Sequence, residues 1–321
     1  MLEFTPNIQQ QHSTKRGLAS TIAQIFDPLG LASPFLLQGK RILQKVTASK
    51  ISWKDEISGE QKLDWEKWLK ELENLKVYKV KRLMSNPDME IQTNELHVFS
   101  DASTDGYGAC CYIRQVGKDG EINTSLVFAK SRVAPLKPIT TPRMELQAAV
   151  VAVRIYHIAA KELKINIDKT YFWCDSRIVL GYIANEARKF HIYVANRVHE
   201  IHRYSEPSQW NYVTTKDNPA DIASRGASVN ELLASNWLTG PQFLQHSIAE
   251  YIENNAIEKT LDEGDIEVRK INTLAVNIVP MSFTEKFKKF SSFDTLVKSI
   301  VILKQAVKNK WQSCTPTVQI I

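Results

Sequence analysis

The sequence contains no run of about 18 apolar residues, the length a membrane-spanning helix requires. Its most apolar stretch, Ile22 to Leu37, is broken by Asp27, Pro28, Gly30 and Pro34. No membrane span is expected. The first fifteen residues lack a basic start followed by an apolar core, so no secretory signal is expected and an intracellular, reducing setting follows. Cysteine is scarce: Cys110, Cys111, Cys174 and Cys314 are the whole complement, and no two form a C-x-x-C pair. Neither a zinc site nor a disulfide framework is indicated. Internal repeats are absent. The charge imbalance is small, 41 Lys and Arg against 35 Asp and Glu, or +6, which tolerates a polyanionic partner without demanding one. What remains is ordinary globular usage, 43% apolar and 24% charged over 321 residues, which argues against wholesale disorder and collagen-like architectures.

Periodicity divides the chain. Lys15 to Val46 holds two apolar-periodic segments around Asp27-Pro28-Leu29-Gly30, a turn in which Pro fixes one backbone angle and Gly permits the reversal. Trp65, Trp68, Leu69, Leu72 and Leu75 then recur at three and four residue steps, the pattern of one buried helical face. Asn86-Pro87-Asp88 interrupts this, and a boundary is expected near residues 85–95. From Leu96 the period is two: Leu96, Val98 and Ser100 alternate with His97, Phe99 and Asp101, then Gly106 to Gly108 leads into Ala109 to Arg114, and a third strand fits Ser125 to Lys130. Adjacent Cys110 and Cys111 should face opposite sides of the second strand. A helix comes next, capped by Thr141, opened by Pro142 and buried through Leu146, Ala149, Val150, Val153 and Ile158. Tyr171 to Cys174 reads as a strand, Arg177 to Asn185 and Phe190 to Tyr204 as helices, Gln209 to Val213 as a last strand and Asp221 to Ser224 as a short helix. The order is βββαβααβα. Beyond Trp237 an acidic segment, Glu250 to Glu267, reads as a solvated face. A basic one, Lys286 to Lys310, includes a final helix capped by Ser291 or Ser292.

Four carboxylates sit where this order brings them together. Asp101 ends the first strand, Glu145 lies early in the long helix, Asp175 ends the next parallel strand and Asp221 opens the last helix. If the first and fourth strands are neighbours, the two strand-end aspartates leave the same edge of the sheet and the crossing helix brings Glu145 over it. Like charges this close raise one another's pKa, and the usual remedy is a divalent cation with oxygen ligands, Mg²⁺ or Mn²⁺. Two such ions about 4 Å apart activate a water and stabilise a leaving oxygen in phosphodiester cleavage. Taken singly, each acid is more simply a surface group or a helix cap; the case rests on all four together.

Ser100-Asp101-Ala102-Ser103 with Gly106-Tyr107-Gly108-Ala109, then Thr141-Pro142-Arg143-Met144-Glu145-Leu146, then Asp175-Ser176 with Leu180-Gly181-Tyr182-Ile183, resembles the ribonuclease H domain of retroelement polyproteins. Asp217-Asn218-Pro219-Ala220-Asp221-Ile222-Ala223-Ser224-Arg225 is similar to the N-x-A-D-x-x-S-R ending of that domain in long-terminal-repeat retrotransposons. Upstream, Thr14-Lys15-Arg16, Ile25-Phe26-Asp27-Pro28-Leu29-Gly30-Leu31 and Lys40 resemble the Pol polyprotein of Pao (BEL) retrotransposons. The resemblance implies an α/β, ribonuclease H-like mixed five-stranded sheet with flanking helices over residues 92–228. An α-helical region of the reverse transcriptase connection type precedes it over 1–88, and a helical linker toward an integrase comes after it over 229–321. It implies a metal-dependent endoribonuclease that degrades the RNA strand of RNA/DNA hybrids during reverse transcription. Asp101, Glu145, Asp175 and Asp221 are then the catalytic metal ligands, with two Mg²⁺ ions for which Mn²⁺ substitutes. Its setting is a cytoplasmic particle with later nuclear access, and its partners are the hybrid and the reverse transcriptase and integrase regions of the same polyprotein. No membrane is involved. Neither a Y-x-D-D polymerase motif nor a His-His-Cys-Cys zinc finger occurs.

The resemblance also marks departures. Many ribonucleases H carry a mobile histidine between the last strand and the fourth acid, where this chain reads Val213-Thr214-Thr215-Lys216-Asp217-Asn218. His191, His199 and His202 lie in the preceding helices and read as surface or structural groups. Nucleic-acid contacts are expected from Ser103, Arg143, Ser176, Arg177 and Arg225, with Lys216 also flanking the last acid and Lys189, Arg197 and Arg203 farther along; such contacts read phosphates and 2′-hydroxyls rather than bases. Two other functions compete: a non-catalytic scaffold of a reverse transcriptase, and an aspartic peptidase, a label that Pao segments also carry. The second lacks its motif, since Asp101-Ala102-Ser103 is not D-[ST]-G and Asp105-Gly106 lacks the intervening hydroxyl residue.

Overall fold

The alternating stretch around Leu96 forms β3 (Ile91–Ala102), and its two faces feed two cores. Leu96 and Val98 point into one apolar cluster and Phe99 into the other. The computed structural model describes residues 2–4, 13–82, 84–262, 264–269 and 290–312. It divides into a unit of Met1–Arg269 and a unit of Lys270–Ile321.

In the first unit, β1 (Leu2–Glu3) and β2 (Lys79–Val80) form a small antiparallel ribbon, and five strands form the main sheet. β3, β4 (Gly106–Gly117) and β5 (Ile122–Val133) are an antiparallel meander. β6 (Lys169–Cys174) then pairs parallel with β3, and β7 (Trp210–Tyr212) parallel with β6, giving the order β5-β4-β3-β6-β7. The expected βββαβααβα order is present as a mixed five-stranded α/β sheet. The strands of the meander are longer than their periodic segments. Cys110 and Cys111 do face opposite cores.

One face of the sheet is covered by α4 (Thr141–Glu162), α5 (Arg177–Ala184) and α6 (Ile192–Tyr204). Thr141 is the first residue of α4 rather than its cap, which is Thr140. Leu146, Ala149, Val150 and Val153 are buried as expected, but Ile158 is 45% exposed. Ile158 lies one turn beyond exposed Arg154 on the outward side of the helix, and Ile155 and Ala159 take the inward positions of that turn.

The other face is covered by α1 (Lys15–Gln24), α2 (Ser33–Ala48) and α3 (Gly59–Asn74), together with α7 (Ala220–Arg225) and α8 (Val229–Ala234). The tryptophan stripe is core: Trp65 and Trp68 stack at 5.0 Å, and Phe35 of α2 stacks on Trp68 at 5.0 Å. Each such burial contributes roughly 1.5–3 kcal/mol. The Asp27-Pro28-Leu29-Gly30 turn locks α2 to the sheet. Asp27 accepts the Leu31 and Ala32 N–H groups at 2.8 and 2.9 Å, and the Ala129 N–H of β5 donates to the Leu29 carbonyl at 2.8 Å. Gly30 has φ +71°, and a Cβ there would lie 1.8 Å from the Ala129 carbonyl oxygen.

The acidic segment is solvated at Glu250, Glu253, Glu258 and Asp262, as expected, but not at its end. α9 (Ile248–Asn254) opens it, and the chain beyond α9 runs back over the α5 and α6 side, where Glu267 is 1% exposed and paired with Arg143. In the second unit a helix spans Phe293–Gln312, and Ser292 Oγ accepts the Thr295 N–H at 3.3 Å. Cys314 and the start of the basic segment at Lys286 lie outside the described residues. Among the described residues no helix is long and apolar enough to cross a membrane.

Gly30→Ala tests the turn. The left-handed backbone and the collision with β5 together cost roughly 2–5 kcal/mol, so the urea midpoint should fall sharply; an unchanged midpoint would contradict this packing.

Candidate active site

Parallel pairing of β3 with β6 sets Ser100 opposite Cys174. The next residues, Asp101 and Asp175, therefore leave the same sheet edge on strands about 4.8 Å apart. After β7 the chain turns at Asn218, whose Nδ2 donates to the Ser100 carbonyl at 3.1 Å and whose Oδ1 accepts the Ala220 N–H at 3.1 Å. That clamp delivers α7, with Asp221 as its second residue. One turn on, the Ser224 hydroxyl donates to Asp101 Oδ2. Glu145, in the second turn of α4, completes the set from the opposite face.

Burial sets the electrostatics. Asp101 is only 8% exposed, and loss of water, reinforced by the Asp175 charge, pushes its pKa up to about 7 against the Ser224 hydrogen bond. Asp175 is raised by burial and by Asp221, with Thr215 and Asn218 pulling it down. Glu145 is raised by burial and by Asp175, with the Ser176 hydroxyl opposing. Among the described residues, Asp101, Glu145 and Asp175 form no salt bridge, whereas Asp221 Oδ1 accepts from Arg225 Nε at 2.6 Å. The donor set is all oxygen and short of positive charge, which suits a hard divalent cation. Among the described residues no three His, Cys, Asp or Glu side chains are yet gathered closely enough to cage an ion. Arg225 holds Asp221 in a contact that competes with ligation, while Ser224 engages Oδ2 of Asp101.

A model of the Pao retrotransposon-like RNaseH-like domain matches residues 14–176, just over half of the chain. The chain belongs to that family. The matched span holds Asp101, Glu145 and Asp175; Asp221 lies beyond it. No curated protein matches. Among solved structures, the N-terminal RNase H domain of a Mycobacterium tuberculosis protein, as a fusion with maltose-binding protein, is 12% identical, over 44% of this chain and 95% of that one, with a TM-score of 0.28. RNase H1 of Halobacterium salinarum is 14% identical over 44% and 98%, with a TM-score of 0.26. LC11-RNase H1, in complex with an RNA/DNA hybrid, is 9% identical over 44% and 99%, with a TM-score of 0.27.

Most of the basic and hydroxyl residues singled out from the sequence of this Pao RNaseH-like chain have partners of their own. Ser103 staples the β3–β4 turn, donating to the Ser224 carbonyl at 2.8 Å and accepting the Asp105 and Gly106 N–H groups. Arg143 makes a two-pronged pair with Glu267 at 2.5 and 3.1 Å. Ser176 caps α5, accepting the Val179 N–H at 3.3 Å. Arg177 lies over the Tyr212 ring, Arg197 over Tyr193 and Arg203 over Tyr204. His202 Nε2 meets the Ile183 carbonyl at 2.8 Å. Sequence reasoning passed over Ser224 and Asn218 as site residues. The Asp221-x-x-Ser224 spacing, one helical turn, was the available signal for Ser224.

Asp101 makes stability depend on pH. Folded, it keeps its proton to about pH 7, against 3.8 for an ordinary aspartate. The folded state thus binds the extra proton between those values, and stability falls as pH rises from about 4 to 7. Asp101→Asn should raise the melting temperature at pH 8, by on the order of 2–4 kcal/mol of stability, with the gain vanishing near pH 4. A gain equal at both pH values would contradict this environment.

Proposed function

We propose that this chain is a metal-dependent endoribonuclease that cuts the RNA strand of RNA/DNA hybrids during reverse transcription. One observation carries the reading: the β3–β6 register sets buried Asp101 beside half-buried Asp175, with Glu145 and Asp221 electrostatically coupled to them. An ordinary surface or capping role does not explain one buried and two half-buried carboxylates gathered without a cation. Membership of the Pao RNaseH-like family supports the choice of substrate.

In this reading Asp101, Glu145, Asp175 and Asp221 hold two Mg²⁺ ions, for which Mn²⁺ substitutes. When bound, such a pair supplies activation of a water and neutralisation of charge on the leaving 3′ oxygen. The protein's part is positional. The sheet fixes the spacing of Asp101 and Asp175, α4 and α7 bring the remaining acids from opposite faces, and burial strips water that would screen them. Ser224 orients Asp101 as hydrogen-bonding neighbours orient metal ligands generally. Val213 to Asn218 contributes Thr215 and Asn218 toward Asp175 but no histidine, so product release relies on other groups. Residues 92–228 form the nuclease, 1–88 the connection to a reverse transcriptase and 229–321 the link to an integrase. The setting is a cytoplasmic particle with nuclear access.

A peptidase reading finds no support in the geometry: Asp105 is engaged by Arg41 at 2.5 Å, and Asp101 by Ser224. A scaffold reading keeps one specific observation, the Arg225–Asp221 pair, which holds the fourth acid away from ligation.

The test is cleavage of a labelled RNA/DNA hybrid with and without Mg²⁺ or Mn²⁺. Wild type should cut only with metal, and Asp101→Asn and Asp175→Asn should each lose at least roughly 10²-fold in rate. A folded wild type that binds hybrid and never cuts it hands the case to the scaffold.

A further inference from the structure

The Asp27-Pro28-Leu29-Gly30 turn and Lys40 take no part in the carboxylate cluster, yet they share a place in the fold. They form one wall of a cleft of about 570 Å³ whose other wall is the edge strand β5, from Phe128 to Val133. The walls are fixed to each other by the Ala129–Leu29 backbone bond and by Ser131 Oγ to Ser33 Oγ at 3.2 Å.

Three cations meet there: Lys40 from α2, and Lys130 and Arg132 from β5. The cleft's one carboxylate, Asp27, already spends both oxygens on the α2 N-terminus. Among the described residues none of the three cations has a salt-bridge partner. Lys40 is half-buried, and burial together with the charges of Arg132 and Lys130 holds its ammonium below the usual lysine range, against the pull of Asp27. Lys130 and Arg132 are exposed at the rim, and like charges gathered around one cleft favour an anion between them.

Register says which anion. Arg132 pairs with Tyr107, and Tyr107 with Ala102, the residue after Asp101. Two strand spacings, roughly 10 Å, separate the cleft from the carboxylates along one edge of the sheet. That is the axial rise of about three nucleotides at ~3.4 Å each. We propose that this cleft binds a backbone phosphate of the nucleic-acid strand lying across the carboxylates, with Lys40, Lys130 and Arg132 supplying the charge. The proposal rests on the hybrid-nuclease reading and names a contact made by the N-terminal helices as well as the sheet. It carries no base readout, because contacts from Lys and Arg to phosphate oxygens position the strand without reading its sequence.

Hybrid binding measured by fluorescence anisotropy in Ca²⁺ across a salt series tests it. Lys40→Gln/Lys130→Gln/Arg132→Gln should weaken binding by roughly tenfold and flatten the slope of log affinity against log salt by about one. Lys161→Gln and Lys169→Gln, exposed lysines away from this edge, should change neither. Lys130→Arg/Arg132→Lys, which keeps the charge, should bind like wild type, and matching melting curves confirm folding. If wild type cuts hybrid while the triple variant binds as tightly and with the same slope, the cleft proposal is wrong and the nuclease reading stands. If wild type neither binds nor cuts hybrid, both fall.

Discussion

The parallel pairing of β3 with β6 is the constraint on which the rest depends. It fixes Ser100 opposite Cys174, and the next residue on each strand is an aspartate. Two carboxylates are thereby forced into one poorly solvated place, an arrangement that costs stability. The structure offsets part of that cost locally, through Ser224 on Asp101 and through Thr215 and Asn218 near Asp175. What it leaves uncompensated is negative charge at a surface edge, the property a divalent cation and then a phosphodiester can use.

Everything that holds the two strands in place therefore serves the site. Behind β3, Arg114 donates to Glu95 at 2.7 Å, and Trp173 Nε1 donates to His97 Nδ1 at 3.1 Å, so buried polar groups tie β4, β3 and β6 at fixed register. On one face α4 delivers Glu145; on the other, α1 to α3 and α7 share a continuous apolar core with the sheet. That sharing has a consequence for binding. Because α2 is locked against β5 through the Gly30 turn, a cation from the N-terminal helices stands at the same sheet edge as the carboxylates.

Much of this was legible in the sequence because it follows from periodicity. The alternation around Leu96 requires a strand, and the tryptophans at three and four residue steps require a buried helical face. The element order and the spacing of the four acids follow as well. The features that were not legible depend on long-range contacts. Ile158 is apolar but shares the outward side of α4 with exposed Arg154, while Ile155 and Ala159 face the core, and residue type alone does not say which side a neighbour covers. Glu267 sits in an acidic run that reads as solvated, and only the return of the chain over α5 and α6 brings it to Arg143. Ser224 was visible as a motif letter, but its role required knowing that α7 packs against the end of β3. Arg143 and Ser103 show the converse: residue type suggested contacts with nucleic acid, while the fold gives both residues internal partners.

The central claim is that the end of the β3–β6 pair is a divalent-cation site. Titration of the isotope-labelled chain with Mn²⁺, followed by paramagnetic broadening of its amide resonances, tests this without requiring substrate or turnover. Broadening should begin at residues 101–103, 144–146, 175–177 and 220–225, and should be lost in Asp101→Asn/Asp175→Asn. Broadening centred elsewhere, or unchanged in that variant, would contradict the account.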